Sequence, residues 1–193
     1  MATTASDTKV LTGKVRLGYV HVFEPFSNQE GQEPKFSVMI IIPKSDTATL
    51  KKIKRAQKAA AEAGKASKFN GKIPANLKTT LKDGDEDADL EKNPELEGHY
   101  YMTISSKTRP GVVDKDLDDI IDSSEVYSGC FARVSMNCFA YNTSGNRGVT
   151  FGLNHIQKIA DGDYLGGRTR ASDDFDKWDE DEDWDEDDDL DLL

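Results

Sequence analysis

Residues of contrasting chemistry alternate along the segment 131–141, which reads FARVSMNCFAY. Successive side chains of an extended strand point to opposite faces, so even and odd positions form two surfaces. The even surface is apolar, with Ala132, Val134, Met136, Cys138 and Ala140. The odd surface mixes aromatic, basic and small polar groups, with Phe131, Arg133, Ser135, Asn137, Phe139 and Tyr141. Because bases stack on aromatic rings and a guanidinium meets phosphate, the odd surface predicts a site for single-stranded nucleic acid.

Other segments repeat this combination. In the segment 99–109, the same alternation places Tyr101, Lys107 and Arg109 on one face. Aromatic residues interleaved with basic residues over several strands are typical of a nucleic-acid-binding surface. The predicted DNA-binding residues are Lys14, Arg16, Tyr101, Lys107, Arg109, Arg133, Phe139, Tyr141 and Arg147. An alternative stays open for Phe131 and Phe139, which would also suit the cover of a second small core beneath a helix.

Five segments rich in β-branched and aromatic residues predict the strands that hold these side chains. They are residues 14–23, 35–42, 99–109, 129–141 and 149–159. Alternation in the first segment places Tyr19, His21 and Phe23 on the same face as the apolar Val15 and Leu17. A hairpin loop is predicted at 142–148.

One helix is predicted between the second and third strands. Ser45 or Asp46 is suited to cap its start, and Gly64 is suited to be its C-cap. The acid-rich segment 83–97 is predicted to be an exposed insertion. These elements together favour a mainly β fold: a five-stranded antiparallel OB-fold-like Greek-key barrel with one α-helix and long loops. Composition alone does not distinguish this barrel from another small β-barrel or from a β-sandwich.

The charge of the chain is concentrated at its end. The full sequence carries 36 acidic and 25 basic residues, a net charge of −11. Residues 173–193 hold 14 of the acids and a single base, which leaves a net charge of +2 on residues 1–172. The net negative charge of the whole chain argues against binding to phosphates, but the mildly basic body does not. We therefore expect two parts, a DNA-binding body at 1–172 and a disordered acidic tail at 173–193.

The tail contains bulky apolar groups that a purely solubilising segment does not need. Carboxylates with interspersed rings can mimic a nucleic-acid strand, and an apolar end can dock in the pocket of a partner. The predicted partner-binding residues are Phe175, Trp178, Trp184, Leu190, Leu192 and Leu193.

Several other classes of function lack support in the residues. Cys130 and Cys138 have no metal-binding spacing, and no catalytic motif or cofactor motif is present. Asp161 and Asp163 are weak candidates for a metal-dependent nuclease, the third hypothesis. No apolar run approaches membrane-spanning length, and the start of the chain lacks a signal-peptide core, so a soluble intracellular protein is expected. Because no catalytic motif is present, we expect no enzymatic activity.

Longer segments resemble one known family. They are GKVRLGYVHVFEP (13–25), FSVMIIIPKSD (36–46), the segment 127–159 and DGDYLGG (161–167). Together they are similar to the phage-encoded single-stranded-DNA-binding proteins of the OB-fold type, which act in replication and recombination. The resemblance implies sequence-tolerant binding in a basic, aromatic groove. It also implies an acidic tail that contacts replication proteins, such as a DNA polymerase or a helicase–primase, and competes with DNA. Related tails often end in phenylalanine, whereas this one ends in Leu192-Leu193.

The resemblance places the protein in the cytoplasm of an infected bacterial host. It leaves open whether the chain forms a homodimer. The alternative hypothesis is an acidic-tailed interaction protein, a DNA mimic or assembly factor without a DNA-binding groove of its own.

Overall fold

The computed structural model describes residues 5–166, 171–175 and 177. The described strands are β1 (Lys9–Leu11), β2 (Val15–Phe26), β3 (Lys35–Pro43), β4 (Lys82–Asp83), β5 (His99–Ser106), β6 (Gly111–Val113), β7 (Phe131–Thr143) and β8 (Asn146–Ala160). The α-helices are α1 (Ala5–Thr8), α2 (Thr47–Gly64), α3 (Gly84–Asp87) and α4 (Ala171–Asp174). Single 3-10 turns lie at Pro94–Leu96 and Ser123–Glu125.

The five long strands close into a barrel. The hydrogen-bonded order is β2-β3-β5-β8-β7, and β7 also pairs with β2, which completes the circle. β5 and β8 meet in parallel at Ser105 and Gly152, whereas the other pairs of the barrel are antiparallel. This strand order confirms the predicted OB-fold-like Greek-key barrel.

The predicted alternation of β7 is confirmed by the core. Ala132, Val134, Met136 and Cys138 point inward and are buried, together with inward residues of the other four strands. Both cysteines are buried free thiols, and desolvation raises the pKa of Cys138 to about 12. The thiolate is therefore suppressed at neutral pH, which makes these residues inert members of the core.

Helix α2 covers one end of the barrel. Asp46 caps its start, since the carboxylate accepts hydrogen bonds from the Thr49 backbone N–H at 3.1 Å and from the Thr49 hydroxyl at 2.6 Å. At the other end, Gly64 is the last helical residue and Lys65 is the C-cap, so the prediction of Gly64 as C-cap was off by one position. The glycine serves close packing instead, because a Cβ at position 64 would collide with the Ala140 side chain.

The predicted facing of the first strand was wrong beyond Leu17. The pairing of β2 with β3 is irregular between Gly18 and His21, and Tyr19 adopts a positive φ of 44°. This bulge turns the Tyr19 side chain outward, where it is 62% exposed, and moves Val22 into the core. A bulge adds a residue to one strand only, so strict alternation cannot place the side chains beyond it.

The acid-rich insertion, residues 83–97, is also packed more closely than predicted. Leu96 is only 3% exposed and joins Met39 and Ile41 in a second apolar cluster on the outer face of β3. Lys44 holds the start of the insertion through contacts of 2.7 Å to Asp83 and 2.6 Å to Asp85. These hydrogen bonds lower the pKa of both carboxyl groups. Most acids of the insertion face solvent, while its apolar residues pack against the barrel.

In the described part of the chain, no helix has the length and apolarity that crossing a lipid bilayer requires.

The packing of the insertion can be tested by Leu96→Ala. Removal of a buried leucine side chain should lower the free energy of unfolding by about 2–5 kcal/mol, as measured by denaturant titration. Leu117→Ala is the matched control, because Leu117 is 70% exposed and its loss should change stability by no more than about 0.5 kcal/mol. Equal stability of the two variants would show that the insertion is not docked.

Candidate nucleic-acid interface

A row of small side chains crosses the outer surface of the barrel. The strand registers place His21 beside Ser37, Ser37 beside Ser105, Ser105 beside Gly152, and Gly152 beside Asn137. Neighbouring strands lie about 4.8 Å apart, so these five positions span roughly 19 Å perpendicular to the strands. We call this row, with Thr103 beside it, the trough.

The trough is a real concavity at its β2 end. A cleft of about 460 Å³ lies over Ser37, Thr103 and Ser105, and Phe26 and Lys107 form part of its wall. The floor lies close to the sheet because its side chains are short, and their hydroxyl groups are polar. Such a floor admits a flat polar ligand and offers it hydrogen bonds.

Aromatic rings stand at both ends of the trough. At the β2 end, His21 and Phe26 stack with centroids 4.3 Å apart and ring planes 8° from parallel. At the β7 end, Phe139 is 50% exposed, and a Cβ at position 152 would lie 3.5 Å from its ring. The Phe139 ring therefore borders Gly152 and is half exposed to solvent, which does not fit the alternative in which it covers a second core.

Basic groups lie on the rim. The Lys107 ammonium is 3.1 Å from the Glu33 carboxylate, and both side chains are well exposed. The Arg109 guanidinium lies 5.9 Å from the centre of the Phe23 ring. An exposed ion pair of this kind contributes about 0–1 kcal/mol, so an incoming phosphate can replace Glu33 at little cost.

Tyr141 and Arg147 lie on the β7–β8 hairpin beyond Phe139. Tyr141 is half-buried and packs over Gly148, where a Cβ would be 2.7 Å from the phenol oxygen and 2.5 Å from the Lys78 carbonyl. Asn142 pairs with Arg147 across the hairpin. The hairpin therefore continues the aromatic and basic surface from the β7 end of the trough.

Three predicted residues lie away from the trough and interact with the protein itself. Arg16 donates to the carbonyl oxygens of Gly129 at 3.2 Å and Asp163 at 2.7 Å. The Arg133 Nε–H donates to the Thr12 carbonyl at 3.4 Å. The Lys14 ammonium lies 4.8 Å above the Phe131 ring.

Tyr101 lies on the outer face, as predicted, but packs against the second apolar cluster beneath the insertion. Desolvation in this position raises the pKa of its phenol. Its ring is only partly available to a ligand.

Sequence reasoning missed three aromatic residues that the structure presents on this surface: Tyr19, His21 and Phe26. The first strand was predicted to end at residue 23, but β2 continues to Phe26 and pairs it with Lys35. A tyrosine, a histidine and a phenylalanine within eight residues were visible in the sequence. The rings face outward because of the bulge at Tyr19, and Gly18, a glycine inside the strand segment, is the signal that could have indicated this bulge.

Residues 8–185 match the family model described as the single-stranded-DNA-binding protein of Enterobacter phage Enc34. The chain belongs to this family. The match covers most of the chain and confirms the resemblance to phage-encoded single-stranded-DNA-binding proteins.

Members and structural relatives of the family span nearly the same length. A curated relative, putative protein p50 of Acyrthosiphon pisum secondary endosymbiont phage 1, is 27% identical over 175 residues, which cover 87% of this chain and 92% of p50. The structure of the bacteriophage Enc34 protein in complex with single-stranded DNA matches with a TM-score of 0.70 at 24% identity, over 82% of this chain and 90% of that one. The gp2.5 protein of bacteriophage T7 matches with a TM-score of 0.58 at 14% identity, over 88% and 95%. At these identities the structural matches establish the fold.

The predicted tail residues lie mostly outside the described residues of this family member. Phe175 is described, follows the single turn of α4 and is exposed. Trp178, Trp184, Leu190, Leu192 and Leu193 lie outside the described residues.

The exposure of Phe139 predicts that it is dispensable for folding. Phe139→Ala should change the free energy of unfolding by less than about 1 kcal/mol. Phe69→Ala is the matched control, because Phe69 is 1% exposed and its removal should cost about 3–5 kcal/mol. A comparable loss in both variants, measured by denaturant titration, would place Phe139 in a core.

Proposed function

We propose that the protein binds single-stranded DNA across the trough, without sequence specificity and without catalysis. The observation that carries the proposal is the row of small residues with aromatic rings at both ends, at Phe26 and Phe139. Short side chains let a strand approach the sheet, and the rings are placed to stack on its bases. Any base has a face for stacking, so the contact tolerates any sequence.

A duplex does not suit this surface. Its bases are already stacked on each other, so Phe139 and the His21–Phe26 pair would meet only the backbone. The body carries a net charge of only +2, which gives weak general attraction for phosphates. Preference for single strands therefore follows from stacking, which the duplex cannot supply.

We assign the direct contacts to residues of the trough, its rim and the hairpin. Those from the sequence prediction are Lys107, Arg109, Phe139, Tyr141 and Arg147, and we add His21 and Phe26 to them. Lys14, Tyr101 and Arg133 lie outside the trough and are proposed to support the surface. Arg16 lines a neighbouring groove.

The family supports a place in phage DNA replication or recombination, in the cytoplasm of the infected bacterium. The family is named after the single-stranded-DNA-binding protein of Enterobacter phage Enc34. We propose that residues 1–172 form the DNA-binding unit. The acidic residues 173–193 would dock replication proteins through their aromatic and leucine side chains.

The central test measures equilibrium binding of fluorescent oligo-dT and of duplex DNA over a range of salt. Single-stranded affinity should exceed duplex affinity and should fall as salt rises, with a slope set by the few basic groups that face phosphates. Phe139→Ala and Tyr141→Ala should each weaken oligo-dT binding by about 1–3 kcal/mol, because each removes a stacking surface. Leu117→Ala, another exposed apolar truncation, should bind like the wild type.

Two results would count against this function. Equal affinity for single strands and duplexes would remove the role of stacking. Absence of binding by residues 1–172 would favour the alternative of an acidic interaction protein without a groove.

Deletion of residues 173–193 tests the proposed competition between tail and DNA. The deleted segment carries a net charge of −13 against +2 on the body, and its tether keeps it at high local concentration. The truncated protein should bind oligo-dT more tightly at low salt, and the difference should shrink as salt screens both contacts. Unchanged affinity at low salt would leave the tail only its docking role.

A further inference from the structure

A second groove lies next to the β2 end of the trough. Its volume is about 870 Å³, within the roughly 300–1,000 Å³ of small-ligand pockets. Arg16 and Tyr19 of β2, Lys92 and Asn93 of the insertion, and Tyr164 are among the residues that line it. We call it the Tyr19 groove.

Tyr19 is held in this groove in an unusual conformation. A bulky residue at positive φ is unfavourable, and such residues concentrate at binding sites, where the surrounding structure holds them. The φ of Tyr19 is 44°, and its side chain is 62% exposed rather than packed in the core. Its hydroxyl donates to the Asn93 side-chain oxygen at 3.4 Å, which holds the ring against the insertion. The bulge therefore presents an aromatic face to solvent at the groove.

The groove also holds basic charge. Arg16 donates to two main-chain carbonyls, of Gly129 and Asp163, which orient its guanidinium without cancelling its charge. Lys92 adds an exposed ammonium, 3.5 Å from Asp89. Glu95 is acidic among the described residues that line the groove, and the Asp89 carboxylate beside Lys92 adds a second negative charge, which leaves Arg16 as the cation oriented only by main-chain carbonyls. An aromatic face beside two cations is suited to a base and its phosphates.

The position of the groove connects it with the trough. Tyr19 and His21 are two residues apart on β2, a rise of about 7 Å at 3.3 Å per residue. His21 is the end of the trough. A strand that leaves the trough at His21 reaches Tyr19 within one or two nucleotides.

We propose that the Tyr19 groove is an accessory single-strand subsite, in which Tyr19 stacks on a base beyond the trough while Arg16 and Lys92 face the phosphates. The proposal rests on the proposed function and extends it. Because the groove lies beyond one end of the trough, only strands longer than the trough occupy it. Removal of the Tyr19 ring should therefore weaken the binding of long oligonucleotides and leave the binding of short ones unchanged.

The experiment measures binding of the full-length protein to oligo-dT of increasing length, over the roughly 4–16 nucleotides of OB-fold sites. Tyr19→Ala should leave affinity for the shortest measurable oligonucleotides unchanged. It should weaken binding of longer ones by roughly 5- to 150-fold, the loss of one stacked base. Tyr19→Phe keeps the ring and should bind within about twofold of the wild type at every length.

Two further variants control for the backbone. Leu117→Ala truncates another exposed residue at positive φ, 71°, and should bind like the wild type at every length. Tyr19→Gly replaces Tyr19→Ala if the alanine variant is unstable, because glycine accepts a positive φ without strain. It should show the same loss of affinity for long oligonucleotides.

The outcomes separate this subsite from the proposed function. If Tyr19→Ala and Tyr19→Gly bind every length like the wild type while Phe139→Ala binds weakly, the subsite is wrong and the trough stands. An equal loss at all lengths would place Tyr19 in the trough and also overturn a separate subsite. If the wild-type protein does not prefer oligo-dT to duplex DNA, the proposed function itself fails.

Discussion

The pairing of β7 with β2 on one side and β8 on the other is the constraint on which the rest of the surface depends. It closes the barrel, so the even residues of β7 fill the core and the odd residues must face outward. A slip of one residue in this register would bury Phe139 and expose Cys138. Closure also brings Gly152 of β8 beside Ser105 of β5, which makes the trough continuous across the barrel.

The surface is suited to stacking more than to charge. The trough has short side chains at Ser37, Ser105 and Gly152, and its rings stand at the two ends. The rim bases are few, and Lys107 already faces Glu33. On the proposed function, stacking on the rings supplies the preference for single strands, and the few rim bases add a contribution that weakens as salt rises.

The strands, the helix and the inward face of β7 could be predicted from the sequence, because period-two alternation and the Asp46 cap are local signals. Alternation could not predict the outward position of Tyr19, since that position depends on a bulge, although Gly18 inside the strand segment is a local sign of one. The docking of the insertion could not be predicted either, because Leu96 stands among acids without a helix or strand period. Arg133 was predicted from its charge and its outward position on β7, and neither shows whether a guanidinium meets a carbonyl of its own chain or a phosphate.

Photochemical cross-linking tests most directly whether DNA lies across the trough. A single-stranded oligonucleotide substituted with 5-iododeoxyuridine would be bound to the full-length protein, irradiated and mapped by mass spectrometry of the peptides. The account predicts cross-links to peptides that contain Phe139 at one end of the trough and His21 or Phe26 at the other. Helix α2 carries five basic residues, Lys51, Lys52, Lys54, Arg55 and Lys58. Cross-links confined to this helix, with none to these rings, would contradict the account.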